Sequence, residues 1–220
     1  MKFIPAIDLK NNKVVLATSS KRSDYKEISK LLAPSSDPLD FIDYLLTKHH
    51  FNTIYLADLD SIDNFYRHSK SIEKILRNFS NIHFLIDNGI NKCQEFNQYN
   101  SDNYTQIIGT ESFADYEGLK KSSIKYILSL DLIDNKVIAL NSGYNTLKPK
   151  QIICMSLDNI GVRCGPNYGD IRNTQKLYPS SEIIVSGGIK DNKDIVSLKK
   201  NGLKKVILLT SILENKIDFS

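Results

Sequence analysis

Two acids in matching settings are the residues of this chain best suited to chemistry. Asp8 stands near the end of an apolar run at 3–9 (FIPAIDL), and Asp131 stands at the same point of a second run at 126–132 (YILSLDL). Each run reads as a buried strand with a carboxylate near its tip. Two carboxylates facing each other, one protonated and one ionised, can donate and accept protons on either side of a bound molecule. The alternative for an acid at a strand end is to cap the next turn or pair with a lysine. Asp58 and Asp60 fit that plainer role better.

The elements that would hold such a pair alternate along the chain. After Asp8, a short apolar segment at 13–17 leads into a long polar loop at 18–34 containing Lys21, Arg22, Asp24 and Tyr25. Loops of that length in a compact domain are often functional. Asp37 and Pro38 read as the N-cap and first position of a helix, carried by Leu39, Ile42, Leu45 and Leu46. Strands follow at 53–60, 83–88 and 105–110, with helices near 69–77, from about Asn91, and briefly after Ser112. The second half repeats the plan: a hairpin turning at Asp134 and Asn135 into 136–140, strands at 151–158, 182–188 and 205–210, and helices near 170–177 and 194–198.

The strand ends of the two halves align. Asp58 and Ser156 are 98 positions apart, Gly89 and Gly188 are 99 apart, and Thr110 and Thr210 are 100 apart. Asp8 and Asp131 are 123 apart, because the second half lacks the helix that should follow its first strand. Strand then helix, in two fourfold halves, predicts an α/β fold: a single (β/α)8 TIM barrel over 1–220, with half-barrels of about 1–121 and 122–220. An open doubly wound sheet is the alternative, but it gives no reason for the repeat.

In such a barrel the site lies at the C-terminal ends of the strands, and the first and fifth strands are opposed. Asp8 and Asp131 are therefore the predicted catalytic residues. Gly89, Gly109 with Thr110, Ser186-Gly187-Gly188 and Thr210 are the predicted phosphate-binding positions, since glycine turns leading into helices present backbone N–H groups to anions. Each of these turns taken singly is as compatible with an ordinary chain reversal. His49, His50, His68 and His83 fall away from the strand ends, and no Ser or Cys nucleophile is paired with a histidine.

Composition narrows the rest. The 29 basic and 25 acidic residues are scattered, and no basic segment carries the aromatic residues that stack on single strands, so nucleic acid is not an expected partner. Cys93, Cys154 and Cys164 have neither disulfide parity nor metal spacing, so the expectation is no metal, no cofactor and a reducing cytoplasm. A first strand at residue 3 predicts no signal peptide, and no apolar run approaches the roughly 20 residues of a membrane span. A small anionic or phosphorylated substrate and a monomer or small homo-oligomer are expected.

In order along the chain, IPAIDL followed by KVV, Ser36-Asp37-Pro38, YLADLD, IIGT, Ser129 to Asp131 (SLD), GPN at 165–167 and SGGI at 186–189 resemble the histidine-biosynthesis isomerase and cyclase family, the HisA/HisF-like barrels. The resemblance implies an Amadori rearrangement of a phosphorylated aminoaldose to an aminoketose, an intramolecular oxidoreductase-type isomerisation with Asp8 as base and Asp131 as acid. Departures accompany it. Asp87-Asn88-Gly89-Ile90-Asn91 stands where the family has a triple glycine and arginine, Ile160-Gly161 where it has Asp-Gly, Met155 where threonine is usual, and Leu209 where a glycine ends the last strand. The chain is similar in this to divergent methanogen and methylotroph relatives, whose Lys-Arg-x-Asp-Tyr stretch resembles 21–25. That leaves two alternatives: a different reaction in C1-cofactor (methanopterin or methanofuran) biosynthesis, and a non-catalytic ligand-binding barrel.

Overall fold

The structure, a computed structural model, describes residues 1–18, 21–64 and 69–219. In chain order the elements are β1 (Lys2–Lys10), β2 (Lys13–Leu16), β3 (Lys26–Glu27), α1 (Pro38–Lys48), β4 (Thr53–Asp58), α2 (Leu59–Asn64), α3 (Lys70–Asn78), β5 (His83–Asp87), β6 (Tyr104–Gly109), α4 (Tyr116–Lys121), β7 (Tyr126–Ile133), β8 (Lys136–Val137), β9 (Gln151–Ser156), α5 (Tyr168–Leu177), β10 (Glu182–Ser186), α6 (Asn192–Lys200), β11 (Lys205–Leu208) and α7 (Thr210–Leu213). The strands β1, β4, β5, β6, β7, β9, β10 and β11 pair in parallel in that order. The ring closes where β11 returns to β1, from Lys2 opposite Lys205 to Pro5 opposite Leu208. The fold is a closed eight-stranded (β/α)8 barrel.

Period-two alternation sorts the apolar residues into two cores. Ile4, Tyr55, Leu85, Ile107, Ile127, Ile153, Ile184 and Ile207, one from each barrel strand, fill the interior. Ile7, Ile54, Leu56, Phe84, Ile86 and their counterparts face outward against the helices. Counting on by twos from the inner layer reaches Asp8, Asp87, Gly109, Asp131, Met155 and Ser186 at the mouth. The same ladder sets Asp8 level with Ala57, and Ala57 level with Asp87.

The repeat is visible in hydrogen bonds as well as in spacing. Hairpins turn at Asn11-Asn12 and at Asp134-Asn135, all four residues at positive φ, as the tightest hairpin loops require. Asn11 N–H donates to Asp60 at 2.6 Å, and Asp134 N–H donates to Asp158, the equivalent acid of the second half, at 3.1 Å. Between β8 and β9 there is only a short 3-10 turn, Ser142–Thr146, in place of a fifth crossover helix. Asp37 caps α1 through the N–H groups of Leu39 and Asp40.

Several expectations need correction. No helix forms from Asn91. That stretch carries Asn91, Asn97 and Asn100, and Asn side chains compete for the backbone; Asn91 is instead pinned to Glu95 and to the Ser112 carbonyl, both at 2.7 Å. Only a 3-10 turn, Cys93–Glu95, remains. The segment 136–140 pairs as a strand only over Lys136–Val137. Strand β4 stops at Asp58, and Asp60 lies in α2. His49 stacks on Phe219 and His83 meets the Thr105 hydroxyl, while His68 lies outside the described residues.

Candidate active site

Asp131 is the most heavily determined acid of the mouth. Its Oδ1 accepts from the Ser129 hydroxyl at 2.9 Å, and its Oδ2 accepts from Glu111 N–H at 3.1 Å and from the Thr110 hydroxyl at 3.4 Å. Its own N–H donates to Thr110 Oγ1 at 3.1 Å. A Cβ placed on Gly109 would lie 3.1 Å from Asp131 Oδ2 and 3.9 Å from Asp87 Oδ2. Glycine there leaves room for two carboxylates to converge.

Asp87 is the second buried acid. The Tyr55 hydroxyl donates to its Oδ2 at 3.0 Å, and Gly89 N–H donates to its Oδ1 at 3.4 Å. Asp8 completes a set of three on β1, β5 and β7, lining the same cavity. In the ring, Asp87 sits between the opposed pair on one side, and Ser186 on β10 sits between them on the other.

Burial is the main cause of every shift in this set, because it penalises the charged form. It raises Asp8 to about 7, with Arg22 opposing and Asp87 adding. It raises Asp87 to about 6, with Glu111 adding. Asp131 is raised well above the ordinary carboxylate range by burial, then by Glu111 and Asp87. Tyr55 is raised by burial and by the three acids, so its phenol stays a donor.

Residues 17–18 and 21–25, between β2 and β3, strap the mouth. Arg22 pairs with Glu111 beyond β6 and, at 3.0 Å, with Asp63 on α2, and Lys10 Nζ donates to the Arg22 carbonyl at 2.9 Å. Tyr25 faces the cavity beneath it. On the far side, Gly161 passes so close under the strap that a Cβ would lie 2.2 Å from the Ala17 carbonyl oxygen.

The end opposite Asp87 is built from backbone. Gly187 and Gly188 have φ of 101° and 80°, and added Cβ atoms would strike the Ser156 and Gly165 carbonyl oxygens at 2.5 and 2.1 Å. Gly165 N–H donates to the Gly188 carbonyl at 2.9 Å, fixing the turn. Ser186, Thr210 and Arg163 line the same end, and Arg163 pairs with Glu214.

Of the predicted site residues, Asp8, Asp131, Ser186, Gly187, Gly188 and Thr210 all line one cavity. Gly89, Gly109 and Thr110 do not. Thr110 N–H donates to the Ser129 carbonyl at 3.0 Å and its hydroxyl serves Asp131, while Gly89 serves Asp87 and packs on Ile62. Asp58 caps α2 through Ser61 N–H at 3.2 Å. Tyr55, Glu111 and Arg163 carried no motif, although Glu111 directly follows a strand-end Gly-Thr and Arg22 lies in a loop long enough to suggest a role. Among the described residues no cluster of His, Cys, Asp and Glu has the geometry to hold a metal ion, and no helix is long and apolar enough to cross a membrane.

Fold and site together define a (β/α)8 barrel with three carboxylates, Asp8, Asp87 and Asp131, gathered at the C-terminal mouth. The chain belongs to the histidine biosynthesis protein family, whose model matches residues 2–218. It is 26% identical to a 1-(5-phosphoribosyl)-5-((5-phosphoribosylamino)methylideneamino)imidazole-4-carboxamide isomerase of Buchnera aphidicola, over 99% of this chain and 96% of that protein. The isomerase of the same name from Halothermothrix orenii matches equally, at 26% over 99% and 96%. An uncharacterized protein of Methanocaldococcus jannaschii is also 26% identical over 99% and 96%.

Proposed function

We propose that this protein is an isomerase of the Amadori type, converting a phosphorylated aminoaldose to the aminoketose by acid–base catalysis between Asp131 and Asp8. The observation that carries the reading is that both acids face one cavity from opposite strands, in environments that separate their roles. The names of the relatives supply the substrate class.

Burial and the nearby Glu111 and Asp87 raise Asp131 well above the ordinary carboxylate range, against the hydrogen bonds it accepts from Ser129 and from Glu111 N–H, and suit it to act as the acid. It donates its proton to the ring oxygen of the sugar, the ring C–O bond breaks, and the nitrogen lone pair forms a C=N bond. Asp8, raised to about 7 and facing Arg22, is ionised in a large fraction at neutral pH. It removes the C2 proton of the opened Schiff base, whose electrons move to nitrogen to give an enolamine. Reprotonation at C1 and loss of the C2 hydroxyl proton leave the ketose, with no net change in atoms or electrons. The glycine turn at 187–188, with Thr210 and Arg163, would hold a phosphate.

The test is incubation in D2O with the two-phosphate aminoaldose named by the relatives and with a single-phosphate, N-substituted phosphoribosylamine. Aminoketose formation with deuterium at C1 is the expected result with at least one of them. Binding without turnover favours a non-catalytic barrel. Turnover that persists in Asp8→Asn or Asp131→Asn sinks the acid–base assignment.

A further inference from the structure

The two-fold repeat pairs Asp87 with Ser186, 99 positions apart, and these two residues define opposite ends of the cavity. The ends differ in chemistry. At the Ser186 end, Gly187 and Gly188 line the cavity in conformations that only glycine adopts readily, and Arg163, paired with Glu214, keeps a cation that is half exposed. At the Asp87 end, the turn that a phosphate would use is already filled by the protein: Gly89 N–H donates to Asp87 Oδ1. The nearest cation, Arg22, is held by Glu111 and Asp63.

Asp87 has capacity left over. An ionised carboxylate offers about four acceptor positions, and Tyr55 and Gly89 occupy one on each oxygen. The residue is only 6% exposed, so a partner there would be desolvated with it. A second phosphate at this end would meet Asp87 and Glu111 at close range, a like-charge contact that strongly disfavours binding. A nitrogen that donates hydrogen bonds would be favoured by the same groups.

Building on the isomerase reading, we propose that the substrate carries one phosphate, seated at the Ser186–Gly188 end, and turns an amine or ammonium nitrogen toward Asp87. Asp87 is then a specificity-determining residue that selects against substrates with a phosphate at both ends.

Three matched sugar phosphates test this by calorimetry: glucosamine 6-phosphate, glucose 6-phosphate and fructose 1,6-bisphosphate. Wild-type protein should bind them in that order, with the bisphosphate weakest despite its greater charge. Asp87→Ser, which copies the residue of the other half, and Asp87→Asn, which removes only the charge, should each weaken the glucosamine phosphate about tenfold and strengthen the bisphosphate by a similar factor. A wild-type preference for the bisphosphate, an order unchanged in both variants, or binding of none of the three at millimolar concentration overturns the proposal. Turnover of the two-phosphate aminoaldose that depends on Asp8 and Asp131 would preserve the isomerase reading while removing this one.

Discussion

Asp8, Asp87 and Asp131 share one cavity but are tuned by different neighbours. Replacing Asp8 or Asp131 by Asn should lower kcat by about 10²- to 10⁴-fold, the usual contribution of a general acid or base. Steady-state kinetics on whichever aminoaldose proves to be turned over would check it. With Asp8 as base, kcat/KM should rise with pH through about 7. It should fall again only when Asp131 loses its proton, giving a bell-shaped profile whose acid limb disappears with Asp8. Stability has the opposite slope. The carboxyls of Asp8 and Asp87 bind protons more tightly in the fold, at about 7 and 6, than at the ordinary value of 3.8. The unfolded chain therefore ionises first, and stability falls as pH rises from about 4 through about 7. Thermal melting across that range should show the fall, and Asp87→Asn should flatten it.

At the scale of elements, the strap closes one side of the site, with Arg22 and Tyr25 lining the cavity, while the hairpins brace it from outside. Gly161→Ala would force a Cβ against the Ala17 carbonyl, and Arg22→Ala would release the strap from Glu111 and Asp63. Both should raise KM with little change in melting temperature, because the strap packs over the barrel and not within it. A melting loss as large as that of a core variant would show the strap to be part of the folding unit. Capping makes a contrasting case: Asp37→Ala removes two acceptor contacts at the start of α1 and should cost about 1 kcal/mol in denaturant unfolding, with kinetics untouched.

The whole molecule depends on closing a ring, and the closing joint lies between the first and last strands. Phe219 packs edge-on against Phe3 and Phe51 and stacks on His49, tying the end of the chain to β1 and α1 beside that joint. Phe219→Ala should destabilise the barrel by about 1–3 kcal/mol, read as a lower urea midpoint, while the active-site kinetics stay close to wild type. The joint is also where the two halves meet, and their equivalence is incomplete by a crossover helix missing after β5 in one and after β7 in the other, and by the exchange of Asp87 for Ser186. That second difference gives the cavity its polarity.

Much of this was legible in one dimension. The apolar runs, the near-constant offsets and the cap at Asp37 follow from period-two and period-3.6 patterning, which is local and survives in the sequence; so the strands, the closed barrel and the opposed pair Asp8 and Asp131 could be read from it. What could not be read is which strand-end acids face inward. Asp58 and Asp87 each end an apolar strand, yet Asp58 caps a helix while Asp87 enters the cavity, because a shift of one residue in register exchanges the two faces. Likewise Gly109 and Thr110 have the composition of a phosphate turn, but their polar groups are taken by Ser129 and Asp131, partners about twenty positions away. Local chemistry determined the elements and their order; the convergence of Asp87 and Asp131 around a missing Cβ, with Asp8 in the same cavity, was decided only by the ring, which brings β1, β5 and β7 to one mouth.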